Sequence, residues 1–320
     1  MILDVEEGAK ALLELIQTHG ATPPRWRAKV LSQVQARMVV QYSLYREDSP
    51  PECEPFLTLI GKFYADETGR QTYQVMQILA QILSRMQAPP LLAIPQALFY
   101  DPRRYLIFQQ RVEGVPYGEL LNRRDSRNCF RLAGKALAFL HSQKVPVGEE
   151  KWMGDHLREL IHPHPSELHE QIPSYRPRVE GLIQSMTEKE RTWKEEIEVA
   201  PLHRDFHLRQ LFYGQGRVWL IDWDLFARGD PALDLGNFLV YLKTHLTQRG
   251  SPSIDAFLEG YFSDRPSSIL KRVPLYEAFT YLRLACKRFR LKGDHWEEKV
   301  NEMLLRSERC LMEESIHEKV

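Results

Sequence analysis

The sequence predicts an α+β fold of two lobes, a small antiparallel β lobe followed by a larger, mainly helical one, divided into 1–110 and 111–320. Three observations carry that expectation. From Lys29 to Tyr64, β-branched and aromatic residues alternate in three runs, broken by Glu47-Asp48-Ser49-Pro50-Pro51, as strands of an antiparallel sheet do. Beyond about Gly118 the apolar spacing becomes helical, most strongly in Phe130-Arg131-Leu132-Ala133-Gly134-Lys135-Ala136-Leu137-Ala138-Phe139-Leu140-His141. Between helical stretches lies a segment dense in Asp, His and Gly, residues 203 to 236, too polar to be core and too patterned to be a spacer.

Along the chain, Val5, Ala9, Leu12, Leu13 and Ile16 recur at helical spacing over residues 4 to 18, and Gly20 with Pro23-Pro24 ends the pattern. This predicts an amphipathic helix packed on the first lobe. After the three strand runs, residues 71 to 86 are helical and stop at Pro89-Pro90; short strands follow at Gln96 to Tyr100 and Tyr105 to Phe108. The lobe boundary falls within Gln109 to Gly118, and 130–141 becomes a central helix of the larger lobe. Thr187 to Glu198 reads as a solvated helix. From Pro231 the pattern is helical, with breaks at Gly250 to Ser253, Asp264 to Ser267 and Lys292-Gly293-Asp294, and a last helix at about 295–315.

At 320 residues the chain can bury a large core. Basic and acidic residues balance at 43 each, so no global field draws it to nucleic acid or anionic membrane. Cys53, Cys129, Cys286 and Cys310 stand far apart with no Cys-x-x-Cys pair, which argues against a zinc site or disulfide framework. The start, Met1-Ile2-Leu3-Asp4-Val5-Glu6-Glu7, lacks the basic region of a secretory signal, and no apolar run approaches the roughly 20 residues that span a bilayer. Cytoplasmic residence is the expectation. Neither the oligomeric state nor a physiological partner carries a sequence signal.

The polar segment holds three pieces in order. His203-Arg204-Asp205-Phe206-His207-Leu208-Arg209-Gln210 comes first, Leu220-Ile221-Asp222-Trp223-Asp224 second, and Gly229-Asp230-Pro231-Ala232-Leu233-Asp234-Leu235-Gly236 third; Gly214-Gln215-Gly216 marks a hairpin between the first two. Moving a γ-phosphoryl group asks for one carboxylate that orients an acceptor and others, with amide oxygens, that hold Mg²⁺ against the phosphates. Asp205 suits the first task, and Gln210 with Asp222 the second.

The three pieces together resemble the aminoglycoside phosphotransferase-like family of small-molecule kinases, relatives of the protein kinases, whose loop typically reads His-Gly-Asp-x-His-x-x-Asn. The resemblance covers roughly residues 30 to 290. It implies a two-lobed protein-kinase-like fold and transfer of a phosphoryl group from ATP, or another nucleoside triphosphate, to a hydroxyl of a small molecule. It further implies Asp205 as catalytic base, Gln210 and Asp222 as Mg²⁺ ligands, and Asp230 and Asp234 as structural acids. Lys62, in Leu57-Thr58-Leu59-Ile60-Gly61-Lys62-Phe63, becomes the lysine on the α/β phosphates. Tyr105-Leu106-Ile107-Phe108 with Glu113-Gly114 resembles the lobe hinge, so the backbone near Gln109, Gln110 and Arg111 receives the adenine.

Four departures stand out. Gln210 replaces Asn, although its amide oxygen remains a donor for a hard cation. No glycine occurs from Ala28 to Glu47, so no Gly-rich loop covers the phosphates. The helix after Lys62 offers Gln71, Thr72 and Tyr73 rather than an acid. Only Leu225 to Arg228 separate Asp224 from Gly229, which leaves no room for a long activation loop.

These departures keep a second reading open, a pseudokinase that binds or scaffolds with little turnover. A third is a metal-dependent hydrolase, in which His203, Asp205 and His207 share one face of an extended strand and ligate metal with Asp222 and Asp224. Plainer roles stand beside each assignment: a turn or cap for Asp205, an exposed lysine for Lys62, core packing for Trp223, and a loop-holding imidazole for His203. For the acceptor, Arg283, Lys287 and Arg290 recur on one helical face near Lys271, Arg272, Arg288 and Lys292, with Glu277 the one acid from Tyr276 to Lys292. If that face lines the site, the acceptor is anionic rather than a polycation; the same pattern also suits a solvated helix face.

Overall fold

The computed structural model of the chain describes residues 4–16, 24–34, 37–48, 50, 52–86, 91–121, 123, 125–245 and 252–317, with side chains as far as Met312. The elements begin with α1 (Val5–Ile16), β1 (Arg25–Val34), β2 (Arg37–Tyr45), β3 (Leu57–Tyr64), α2 (Thr68–Ser84), β4 (Leu92–Ala93), β5 (Ala97–Asp101), β6 (Leu106–Gln110) and β7 (Val115–Pro116). Next come α3 (Tyr117–Leu120), α4 (Ser126–His141), α5 (Met153–Leu160), α6 (Pro165–Gln171), α7 (Arg176–Trp193), β8 (Ala200–Leu202), β9 (Leu211–Gly214), β10 (Arg217–Leu220) and β11 (Ala227–Gly229). The chain closes with α8 (Ala232–His245), α9 (Pro252–Phe262), α10 (Val273–Leu291) and α11 (Trp296–His317). Two compact units result: Met1–Val115 with Phe212–Asp224, and Pro116–Leu211 with Leu225–Val320.

The first unit is built on an antiparallel sheet in the order β1-β2-β3-β6-β5. The alternation that predicts it is visible in β2, whose Met38, Val40, Tyr42 and Leu44 all point into the core. α1 closes that core with Ala9, Ala11 and Leu12, packed on Leu59, Phe63, Leu106 and Phe108 of the sheet. The Tyr42 hydroxyl donates to Val5 O (3.0 Å) and a side chain at Gly8 would strike the Tyr42 and Phe63 rings, so the helix lies flat on the sheet. The predicted stop for this helix, Gly20 with Pro23, lies outside the described residues, as do Pro89-Pro90 and Gly250.

α2 begins at Thr68, three residues before the sequence expectation, because the Asp66 carboxylate accepts the Thr68 N–H (2.9 Å) and starts the first turn. The return segment forms the β9–β10 hairpin, in which Gln215 (φ +55°) and Gly216 (φ +72°) are both left-handed, as a two-residue hairpin turn of this twist requires. β10 adds in parallel to β4.

The second unit is helical around α8, a helix buried on nearly every side. Gly236 lets α8 touch α10, since a Cβ there would stand 2.8 Å from Glu277 N and Tyr276 C. α4 packs on α9 in the same manner, its Gly134 against the backbone of Phe257 and Tyr261. Deep in this unit Glu190 of α7 accepts from Met153 N (2.7 Å) and the Tyr276 hydroxyl (2.8 Å); burial pushes its carboxyl up to about 7. None of the four cysteines forms a disulfide. No described helix is long and apolar enough to cross a membrane.

Candidate active site

In the second unit, a two-stranded ladder of β8 with β11 sets the polar loop, pairing Leu202 with Ala227 and Ala200 with Gly229. β8 delivers His203 and Asp205, and β11 delivers Asp230 at the head of α8. Asp234, in the first turn of α8, accepts the backbone N–H groups of His203 and Arg204, both at 2.7 Å. It also meets His141 Nε2 at 3.2 Å, and burial holds that imidazole below its ordinary value. Asp230 takes Arg272 as a fork, Nε at 2.6 Å and Nη2 at 3.0 Å, and accepts Ala232 N at 3.0 Å. The two acids of the Gly-Asp-Pro segment thus brace the loop and the helix start.

The loop is not an extended strand. Arg204 has φ +64°, and Gln210 N bonds back to His207 O (2.9 Å), closing a turn. His203, Asp205 and His207 therefore do not line up on one strand face, which removes the premise of the hydrolase reading. No group of three or more His, Cys, Asp or Glu among the described residues could hold a metal. Arg204 stands where the family's loop carries Gly, a position whose left-handed backbone suits Gly. Its guanidinium is buried, pairs with Glu159 Oε2 (2.7 Å) and donates to His156 Nδ1 (3.2 Å), contacts that hold the loop in this conformation.

Asp205 accepts Arg283 Nη2 on Oδ1 (2.9 Å); its Oδ2 meets His207 Nε2 (3.3 Å) and Gln210 Nε2 (3.3 Å). Burial by itself would raise this carboxyl, but the His207 hydrogen bond and the Arg283 charge outweigh burial and hold it well below the usual carboxylate range. His207 in turn accepts Arg209 N on Nδ1 (3.2 Å) and stacks on Tyr241 with ring centres 4.5 Å apart. The result is an ionised carboxylate of fixed orientation.

The first unit holds a second acidic centre. Side chains two apart on a strand share a face, so Lys62 and Tyr64 of β3 point the same way, and the register sets Arg37 of β2 directly opposite Tyr64. All three converge on Asp224: Arg37 Nη1 at 2.7 Å, Tyr64 OH at 2.8 Å and Lys62 Nζ at 2.9 Å. Lys62 also reaches Asp222 Oδ1 at 2.6 Å. Burial disfavours the ammonium, yet the Tyr64 oxygen and the carboxylates of Asp224 and Asp222 prevail, and Lys62 holds its proton more tightly than a free lysine. Asp222 itself is left-handed at φ +67°, a conformation that Asp tolerates better than most residues.

Of the predicted site residues, then, Lys62 and Asp222 meet in the first unit, and Asp205 and Gln210 meet in the second. Lys62 is buried, not the exposed lysine of the plainer alternative. Gln109 and Gln110 are strand residues, in register with Ile60 and Leu59, and Gln110 N is bonded to Gln96 O (2.8 Å). Both belong to β6, and Arg111 lies just beyond the strand. The Gln110 side chain lines a cavity of about 510 Å³ with Gln77, Ile94 and Trp219, on the α2 side of the sheet. Three contributors escaped the sequence reading. They are Asp224 as counter-ion of Lys62 in place of a helix acid, Arg37, and Arg283 on Asp205. The Asp-x-Asp spacing of Asp222 and Asp224 was the one visible sign of the first.

This fold and these loops have the two-lobed architecture of the protein-kinase-like small-molecule kinases. A model of the phosphotransferase enzyme family matches residues 45–269, and the chain belongs to that family. No curated protein matches it. Among solved structures it is similar to choline kinase LicA from Streptococcus pneumoniae (14% identity, TM-score 0.63, covering 96% of this chain and 98% of that one). A choline/ethanolamine kinase family protein from Mesorhizobium loti gives 15% identity and TM-score 0.58, over 96% and 94% of the two chains. A spectinomycin phosphotransferase in complex with ADP and spectinomycin gives 13% identity and TM-score 0.56, over 97% and 98%. At such identities the likeness speaks for the fold.

Proposed function

We propose that this phosphotransferase moves the γ-phosphoryl group of ATP, or another nucleoside triphosphate, to a hydroxyl of a small molecule in a Mg²⁺-dependent reaction, with the cytoplasm as its site of action. The observation that carries this reading is the state of Asp205: held in its ionised form, half-buried, and clamped by Arg283, His207 and Gln210 in the loop that carries the family's base. Asp205 orients the acceptor hydroxyl and takes its proton as the acceptor oxygen bonds to phosphorus and the bond from phosphorus to the departing nucleoside diphosphate breaks.

Each proposed ligand, taken by itself, offers an oxygen that suits a hard divalent cation: Asp222 its carboxylate, with the side chain 36% exposed, and Gln210 its amide oxygen. When bound, Mg²⁺ neutralises charge on the phosphate oxygens. Lys62 contacts the α/β phosphates, and Asp224 keeps it aimed and protonated. The backbone near Gln109 to Arg111, at the end of β6, receives the adenine.

A non-catalytic binding module is the second reading, favoured by strands β1 and β2, which contain no glycine, and by Lys62 closed on both Asp222 and Asp224. Thermal melting with ATP and Mg²⁺ separates the two, because a ligand of the native state raises its Tm. We expect a Mg²⁺-dependent rise that Asp222→Asn abolishes, and acceptor-dependent ADP release by the wild type. A nucleotide shift indifferent to Mg²⁺, or no shift at all, would leave the binding module as the better reading.

A further inference from the structure

Several cations gather around Asp205, and all of them belong to the second unit. Arg283 of α10 gives Nη2 to Asp205, while its Nη1 is buried without a hydrogen-bond partner among the described residues. One turn along α10 stands Lys287, partly buried. Arg209, Arg283 and Arg288 act on its ammonium, with Asp205 as the opposing carboxylate, and burial with these like charges pushes Lys287 below its ordinary value. The same charges bear on Tyr241, which backs His207.

Like charges drawn together and partly dehydrated are costly unless an anion completes them. Asp205 is one carboxylate, and its two oxygens are already bonded to Arg283, His207 and Gln210. A guanidinium with a spare N–H beside a desolvated ammonium matches the paired oxygens of a phosphate or carboxylate. An acceptor bearing an ammonium would meet repulsion in the same place.

We propose that the acceptor is an anionic hydroxy compound, and that Arg283, Lys287 and Arg209 seat its phosphate or carboxylate beside Asp205. This rests on the reading of Asp205 as the group that receives the acceptor hydroxyl.

The test is calorimetric titration of the nucleotide-free full chain with inorganic phosphate, sugar phosphates and hydroxycarboxylates, against choline and kanamycin as cationic controls. We expect anions alone to bind, the phosphate and carboxylate arms telling which oxyanion is preferred, and Lys287→Gln to weaken them roughly tenfold or more. Because Lys287→Gln removes a repulsion, its ligand-free Tm should equal or exceed that of the wild type, which a merely structural lysine would not allow. Binding of choline or kanamycin but no anion, silence across the whole anionic panel, or anion affinity unchanged within twofold in Lys287→Gln would each overturn the proposal. Anion binding without Mg²⁺-dependent nucleotide binding would leave this site standing while the phosphotransfer reading fell; the converse would remove the site alone.

Discussion

Asp222 of the first unit and Asp205 of the second are both carboxylates held by cations, but they are held in different ways. Asp222 is partly exposed and meets a lysine, a compact point charge on a flexible stem that can turn from carboxylate to phosphate. Asp205 is 15% exposed and meets a guanidinium, an imidazole and an amide that fix it from both oxygens. The first arrangement is exchangeable, as a ligand for a cation has to be. The second is rigid, as a group that must orient an acceptor has to be.

That contrast can be broken most sharply at Asp205. Asp205→Asn should lower phosphotransfer by about 10²–10⁴-fold, the usual worth of a positioned acid or base, while the Mg²⁺-dependent nucleotide shift in Tm survives. Steady-state turnover beside melting curves reads both. Next in size is the pair of methionine substitutions at the cations. Arg283→Met leaves a half-buried carboxylate without its guanidinium partner and should cost about 2–4 kcal/mol, whereas Lys62→Met, with Arg37 and Tyr64 still on Asp224, should cost about 1–2 kcal/mol. Denaturant titration of the two variants compares them; equal losses would erase the distinction between the centres.

A smaller effect separates the centres by pH. Asp205 lies below its unfolded value near 3.8, so its ionised form contributes stability that is complete above that value and is lost as pH falls toward the depressed one. Arg283→Met lets the carboxyl rise and should move the onset of acid unfolding upward by a fraction of a pH unit, followed by circular dichroism. The smallest change is expected from Gln210→Asn, which restores the family's amide at one methylene less reach. A few-fold rise in turnover, about 1 kcal/mol or less in the barrier, fits a metal ligand of altered length; a fall would mean that Gln210 serves Asp205 instead.

How much of this was legible in the sequence depended on distance along the chain. The runs that became β2 and β3, the helix at 130–141 and the Gly214-Gln215-Gly216 turn were read correctly because each is coded in neighbouring residues. The Lys62 partner was sought in the next helix, and none was there; the charges came instead from Asp224 and Asp222, on the far side of a β10 strand that returns to the first unit. Arg283 was visible as one of a basic row on α10, but nothing in that row says which member bends to Asp205. An apolar strand pattern marks where β6 begins better than where its ladder ends, and the ladder continues through Gln109 and Gln110.

Glu190 has a consequence of its own. Its carboxyl rises from an ordinary 4.5 to about 7 on folding, because burial disfavours the charged form more than Met153 N and Tyr276 favour it. Folding between those values therefore draws a proton from the medium. The associated stability is fully present below 4.5 and drains away as pH rises through about 7. At pH 6 unfolding would then release the Glu190 proton to the buffer, against the protons that the buried imidazoles His141 and His156 take up, and Glu190→Gln would change the dependence of the unfolding heat on buffer ionisation enthalpy by about one proton. The interior of the helical unit is thus a proton reservoir coupled to the folded state, remote in function from both carboxylates of the candidate site.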